Sequence, residues 1–208
     1  MNTRNVITGA VLMLGLVACG QNGQNPVQAT AQQTQAQLAV SGNWDSACSQ
    51  AGLFGNFKSQ KEEYHFGDDG SFEKKYFFYS DPNCQTASFV RLEDGQVSFQ
   101  GTSPVQNGTP VNFQFQKVSL VPDSQGAADE LNTLKYCGVN NYAVGQASDI
   151  TANSSNSLCI GVTHAPRTTY DSIKLNDAMH INLGDDAKQE DPGKRPANVD
   201  PQLSFTKQ

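Results

Sequence analysis

The chain has 208 residues, a formal charge of −6 and a mean hydropathy of −0.49. No basic stripe interrupts the acidic balance, which argues against nucleic acid as a partner and against electrostatic docking on anionic lipid. Three histidines and five cysteines leave little material for a metal or cofactor site, and no cofactor motif is present.

The amino-terminal end reads as a leader. Arg4 and the free amine form a short positive region, and Val6 to Val17 follows with Thr8 as its one polar interruption. Twelve helical residues span about 18 Å, short of a bilayer core of about 30 Å, so this is a signal-peptide core rather than a membrane span. The residues Leu16-Val17-Ala18-Cys19 then resemble the lipobox of bacterial lipoproteins. That resemblance implies cleavage between Ala18 and Cys19, acylation of Cys19 and attachment to a membrane through its lipid. Gly20 in place of Asp implies an outer-membrane station if the source is Gram-negative, and otherwise the cell envelope. An ordinary secretory signal with a coincidental cysteine is the alternative.

Residues 20–42 contain seven Gln and neither charge nor aromatic ring, a composition that cannot bury enough apolar surface to offset its ordering entropy. The expected organisation is therefore a signal peptide at 1–18, a lipidated cysteine and flexible tether at 19–41, and one domain at 42–208. Loss of residues 1–18 removes Arg4 and no acid, leaving 13 cations against 20 acids and a charge of −7.

The domain is dominated by a period of two, the signature of half-buried strands. Tyr64 and Phe66 alternate with Glu63 and His65, and Asp68-Asp69-Gly70 supplies a hairpin turn. In the next strand, 71–79, Phe72, Tyr76 and Phe78 share a face with Lys74 as its odd member. Thr86–Leu92 and Gln96–Gln100 flank Glu93-Asp94-Gly95, which reads as a second hairpin. Val111, Phe113 and Phe115 alternate with polar residues before the phase flips to Val118 and Leu120, as a β-bulge would require. A helix is expected after Pro122-Asp123-Ser124, with Ala127, Leu131 and Leu134 on one face and Gly138 able to end it. Strands follow at Tyr142–Ile150, Ser157–Val162, Thr169–Leu175, Met179–Leu183 and Leu203–Thr206, with a loop over Gly184–Asp200. The fold class is all-β with one short helix, either a barrel or a sandwich on these patterns alone.

With Cys19 set apart, Cys48, Cys84, Cys137 and Cys159 form an even set, read in an exported chain as two disulfides. Three pairings are possible. Cys48–Cys84 with Cys137–Cys159 is favoured because each bridge brackets neighbouring elements. No CxxC or HxxxH spacing supports a metal site.

Gly42 and Trp44 in Ser41-Gly42-Asn43-Trp44 resemble the first-strand signature of lipocalins. Trp44…Cys48 and Tyr79-Ser80-Asp81-Pro82-Asn83-Cys84 are similar to a pattern in lipocalin-like bacterial lipoproteins. The resemblance implies an antiparallel up-and-down barrel of about eight or nine strands with Trp44 at its closed end. It also implies a basic residue beside Trp44, for which Arg195 and Lys207 are candidates. It further implies a small apolar or amphipathic ligand, with Phe72, Tyr76, Phe78, Phe113 and Phe115 as candidate ligand-facing residues. His65, His164 and His180 have no Ser, Cys or acid at motif spacing, so no enzyme is expected, and a monomer is favoured. The alternative is an envelope interaction module with a filled core.

Overall fold

A computed structural model describes residues 36–50, 57–100, 108–159, 162, 164–184 and 189–208. The expected leader, Ala18, Cys19 and the tether up to residue 35 lie outside these residues. Ten strands occur in chain order: β1 (Gly42–Ser46), β2 (Ser49–Gln50), β3 (Ser59–Phe66), β4 (Ser71–Tyr79), β5 (Ala87–Phe99), β6 (Thr109–Pro122), β7 (Ser148–Asp149), β8 (Arg167–Asp177), β9 (His180–Gly184) and β10 (Val199–Lys207). Eight of them form a closed antiparallel barrel in the order β1-β10-β9-β8-β6-β5-β4-β3, with β1 returning to pair with β3. The two-residue strands β2 and β7 extend its rim against β3 and β6. Closure removes the unpaired edges that an open sheet would expose.

The alternation of side chains decides which face turns inward. Along β3 the inward set is Glu62, Tyr64 and Phe66. These lie opposite Tyr76, Lys74 and Phe72 of β4. The same rows continue through Arg91, Glu93 and Gly95 of β5 to Leu120, Val118 and Phe115 of β6. The phase flip read in β6 is a bulge: Asp94 pairs with Lys117 and Gly95 with Phe115, so Gln116 is the extra residue. The bulge is what lets Phe113, Phe115, Val118 and Leu120 all be buried.

The Glu93-Asp94-Gly95 stretch is not a hairpin. It lies within the thirteen-residue β5, where Glu93 turns inward and Gly95 faces the bulge. A Cβ on Gly95 would sit 1.9 Å from the Gln114 carbonyl oxygen, so glycine is required here by close approach rather than by a turn. The hairpin turn at Asp68-Asp69-Gly70 is as read, with Gly70 at φ +84° and Ser71 N–H donating to Asp69 Oδ1.

The expected helix forms at Gln125–Leu134, capped by Ser124, whose Oγ accepts from Ala127 N–H at 3.2 Å. It ends earlier than Gly138, because Lys135 takes left-handed φ, ψ and a 3₁₀ turn follows at Tyr136–Gly138. The strand expected at Tyr142–Ile150 is cut to Ser148–Asp149, and of Ser157–Val162 the described residues 157–159 and 162 are not strand, residues 160 and 161 lying outside the described ones. Tyr142 is held by Asn132 and by its own hydroxyl donating to Tyr136 O, and only Ser148–Asp149 pairs with β6. Cys159 sits in a turn, where its N–H donates to Asn156 O at 2.8 Å, and is bonded to Cys137.

Both favoured disulfides are present. Cys48–Cys84 spans a Cα separation of 6.0 Å and ties the β1–β3 connection to the β4–β5 turn. Cys137–Cys159 spans 4.4 Å and closes the cap that follows the helix. Each loop is worth about 3–4 kcal/mol on the chain-entropy account.

The core has two parts. One fills the base of the barrel around Trp44, Phe66, Phe72, Phe113 and Phe205. The other lies under the helix and its following turns, around Phe78, Phe89, Leu120, Leu131, Tyr136 and Ile150. Residues 36–40, expected as tether, form a helical turn that reaches the base core through Val40. Val40 also accepts the Trp44 indole N–H at 2.6 Å, and Gln37 donates to the Asp68 carbonyl. A buried apolar side chain and a buried indole donor needing a partner order this segment, although its composition is tether-like.

Candidate functional site

Between the two apolar cores the barrel carries a layer of charge. Glu62 Oε2 meets Lys74 Nζ at 2.9 Å. One row deeper, Glu93 receives Arg91 Nε at 3.0 Å on one oxygen and Arg167 Nη2 at 3.0 Å on the other. The first Glu93 contact is ionic and off the hydrogen-bond axis, whereas the second is a hydrogen bond. Arg167 also donates to the His164 carbonyl at 2.9 Å. Lys74, Arg91 and Glu93 are buried residues, and Glu93 is only 1% exposed.

Aromatic rings hold the cations. Lys74 Nζ lies 4.7 Å from the Tyr64 centroid and 4.2 Å from that of Tyr76. The Arg91 guanidinium lies 4.0 Å from the Tyr76 centroid as well, and that of Arg167 lies 3.7 Å from the Phe115 centroid. Each such contact, out of water, is worth up to about 2 kcal/mol. The layer needs this help, since burying an ion costs several kcal/mol before pairing returns it.

Burial opposes the charge on Lys74, yet Glu62, Tyr64, Tyr76 and Glu93 together raise it well above an ordinary lysine. Burial likewise opposes charge on Arg91 and is outweighed by Glu93, which raises it. Burial raises the Tyr76 phenol, against the lowering effect of Lys74. The two cations therefore stay charged, and Tyr76 stays a neutral phenol.

The layer is not sealed on both sides. Below it, Phe72 packs edge-on to Phe113 and Phe115 with centroids 5.2 and 5.1 Å apart, which closes the base. Above it, the Glu62 side chain keeps 21% of its exposure and Tyr76 is half-buried. Phe57, Phe78 and Phe89 cluster in the second core beside it, Phe78 stacked on Phe89 at 4.6 Å and Phe57 tilted to Phe78 at 5.6 Å. The layer thus lies between an aromatic base and the second apolar core, with its upper row partly exposed.

The five candidate ligand-facing residues all belong to the inward alternation but lie at three depths. Phe72, Phe113 and Phe115 fill the base, Tyr76 is part of the charged layer, and Phe78 lines the wall above it. The layer's cations and acids are what the sequence reading missed. Lys74 was visible as the odd member of an apolar face. Glu62 shares parity with Tyr64 and Phe66, and Arg91 lies in the expected strand Thr86–Leu92, but Glu93 was hidden by the expected hairpin.

Trp44 is fully buried at the closed end, and Lys207 lies over it at 5.2 Å. Arg195 is elsewhere. It staples the β6–β8 seam from outside by donating to the carbonyls of Val111 and Asp171 and to Asn112 Oδ1. Asp171, fully buried and on the inward face of β8, is raised by burial to about 6. Its Oδ1 accepts the N–H groups of Ser172 and Gly184.

Asp81 of the Tyr79–Cys84 stretch organises the rim. Its carboxylate accepts backbone N–H groups from Asn83, Gln85 and Thr86, which hold its pKa below the usual carboxylate range, Thr86 foremost. Cys84 is thereby set at φ +55° with its N–H donated to Ser59 Oγ. The imidazoles have partners outside the layer: His65 meets Asn43, His180 meets Asp177, and His164 lies 3.7 Å from Glu190. No group of three potential metal ligands occurs among the described residues, and no described helix is long and apolar enough to cross a membrane.

Fold and site together define an up-and-down β-barrel with a charged interior layer. Residues 21–190 match the family described as Adenomatosis polyposis coli down-regulated 1, and the chain belongs to that family. The match corrects the resemblance drawn from Leu16–Cys19 and from the Trp44 and Cys84 motifs. This is a family of eukaryotic secreted and membrane proteins, not one of bacterial lipoproteins with a lipocalin-like domain. A short lipobox and a G-x-W are few positions, easily met by chance, whereas the family match covers most of the chain. The lipid on Cys19 and the outer-membrane station that the resemblance implied receive no support from it.

Proposed function

We propose that the protein is an exported, non-enzymatic barrel that binds one small amphipathic molecule at the mouth above the charged layer. The observation that carries this reading is the asymmetry of the interior: a packed aromatic base and, above it, a charged layer whose Glu62 and Tyr76 keep partial exposure beside Phe57, Phe78 and Phe89. A concave apolar wall with a few convergent polar groups is the usual anatomy of a small-molecule site. Two disulfides support folding in an oxidising compartment.

The filled base favours one competing reading, an interaction module acting through its rim. Titrating the oxidised full chain with the neutral fluorescent probe N-phenyl-1-naphthylamine separates the two. Saturable one-to-one binding, displaced by dodecanol, is expected of the ligand-binding barrel. No saturable binding overturns it in favour of the module.

A further inference from the structure

We propose that Asp171 is a pin whose protonation fastens residues 189–196 to the barrel, so that this strap is held in acid and loosens at neutral pH. The device is independent of whether the barrel takes a ligand.

Three attachments tie the strap to β8. Tyr170 N–H donates to the Gln189 carbonyl at 2.7 Å, Ser172 Oγ donates to the Pro196 carbonyl at 2.8 Å, and Arg195 Nη1 donates to the Asp171 carbonyl at 2.7 Å. All three fall within one residue of Asp171. Its side chain turns into the barrel, where Oδ1 accepts the N–H groups of Ser172 at 2.6 Å and Gly184 at 2.9 Å. Gly184 packs on the strap in turn: a Cβ there would collide with Asp171 Oδ1 and lie 2.7 Å from Pro196 Cβ. One buried carboxyl thus sits under the point where the strap is tied.

Asp171 is fully buried, and its Oδ2 has no hydrogen-bond partner among the described residues. A neutral carboxyl leaves one hydroxyl unpaired there. An ionised one leaves a charge out of water, which costs more. Lys74 of β4 and Arg195 of the strap act against that cost, but burial outweighs them and raises the carboxyl to about 6. Its neighbours on β6 and β9, Val111 and Gly184, carry no charge. Glu62 is engaged with Lys74, Glu93 with Arg91 and Arg167, and Asp200 of β10 with Gln202 N–H.

Since the folded value is raised, the fastening is complete below about pH 4 and is lost as pH rises through about 6. Ionised Asp171 gains by reaching water. The strap is the part that yields to it, being tied by isolated bonds rather than by a strand ladder. Its release uncovers the β6–β8 seam that Arg195 occupies.

The experiment is amide hydrogen exchange of the full chain by NMR at pH 5 and pH 7.5, corrected for intrinsic exchange. Tyr170 reports the strap. Val97, whose N–H donates to the Gly70 carbonyl in the base hairpin, is the reference. Tyr170 protection is expected to fall several-fold relative to Val97 at pH 7.5. The limit is about tenfold, set by a carboxyl at about 6 when closed and 3.8 when open. In Asp171→Asn the fall is expected to vanish. In His164→Gln it is expected to persist, since a histidine 3.7 Å from Glu190 at the strap's other end is the competing pH sensor. An unchanged ratio of Tyr170 to Val97 in the parent chain overturns the strap, whether both amides hold or both fall together. A fall that persists in Asp171→Asn, or that is lost in His164→Gln, overturns Asp171 as the pin. The parent chain and His164→Gln carry the test if Asp171→Asn fails to fold.

Discussion

Asp171 shows how one buried side chain sets a pH dependence. Burial raises its carboxyl from 3.8 to about 6, a rise that Lys74 and Arg195 only moderate. The folded value stands above the unfolded one. Its contribution is therefore fully present below about pH 4 and is lost as pH rises through about 6, a change of about 3 kcal/mol at most. Asn at this position can keep both backbone N–H bonds without the charge. Asp171→Asn is expected to be more stable than the parent at pH 8 by up to about 3 kcal/mol, with the gap closing by pH 4. Thermal unfolding at the two pH values checks it, and a variant weaker than the parent at pH 8 would contradict it. Two glycines give a second contrast at this scale. Gly95→Ala must push against the Gln114 carbonyl and is expected to cost at least about 3 kcal/mol in denaturant unfolding. Gly126→Ala meets nothing within 4 Å in the helix and is expected to stabilise by about 0.5–1 kcal/mol.

Elements were legible wherever their period was unbroken. β3, β4, the flip in β6 and the Ser124 cap follow from alternation and from one capping residue. Glu93-Asp94-Gly95 misled because hairpin chemistry and a bulge partner both call for glycine, and only the neighbouring strand distinguishes them. Residues 142–162 misled for another reason. Their apolar side chains pack beneath a disulfide-bonded cap rather than along a ladder, so Tyr142, Ile150 and Cys159 are buried without a strand. The Cys48–Cys84 bridge joins two rim connections that no alternation specifies. The double variant Cys48→Ser/Cys84→Ser is expected to lose about 2–5 kcal/mol of stability. Alkylation without reduction should label none of the four bridged cysteines in the parent chain, and labelling of any would refute the pairing.

At the scale of the molecule, the barrel turns an ordinary acidic sequence into a container with an unusual inside. The outward faces carry the net negative charge, while the described interior sets Lys74, Arg91 and Arg167 beside Glu62, Glu93 and Asp171. The sequence shows that asymmetry only at Lys74, because inward charge in β5 and β8 becomes visible once the register of the neighbouring strands is known. The family match places the chain, and the proposed ligand is argued from the interior alone. The central claim is that a ligand contacts the layer from the mouth. It is tested most directly by NMR of the full chain, with dodecanoate added to saturation and the side chains of lysine, tyrosine and arginine observed. The account predicts shifts at Lys74, Tyr76 and Arg91, with the outward-facing Lys75 and Tyr79 of the same strand unmoved. Shifts confined to Lys75, Tyr79 or the helix, with the layer unchanged, would contradict it.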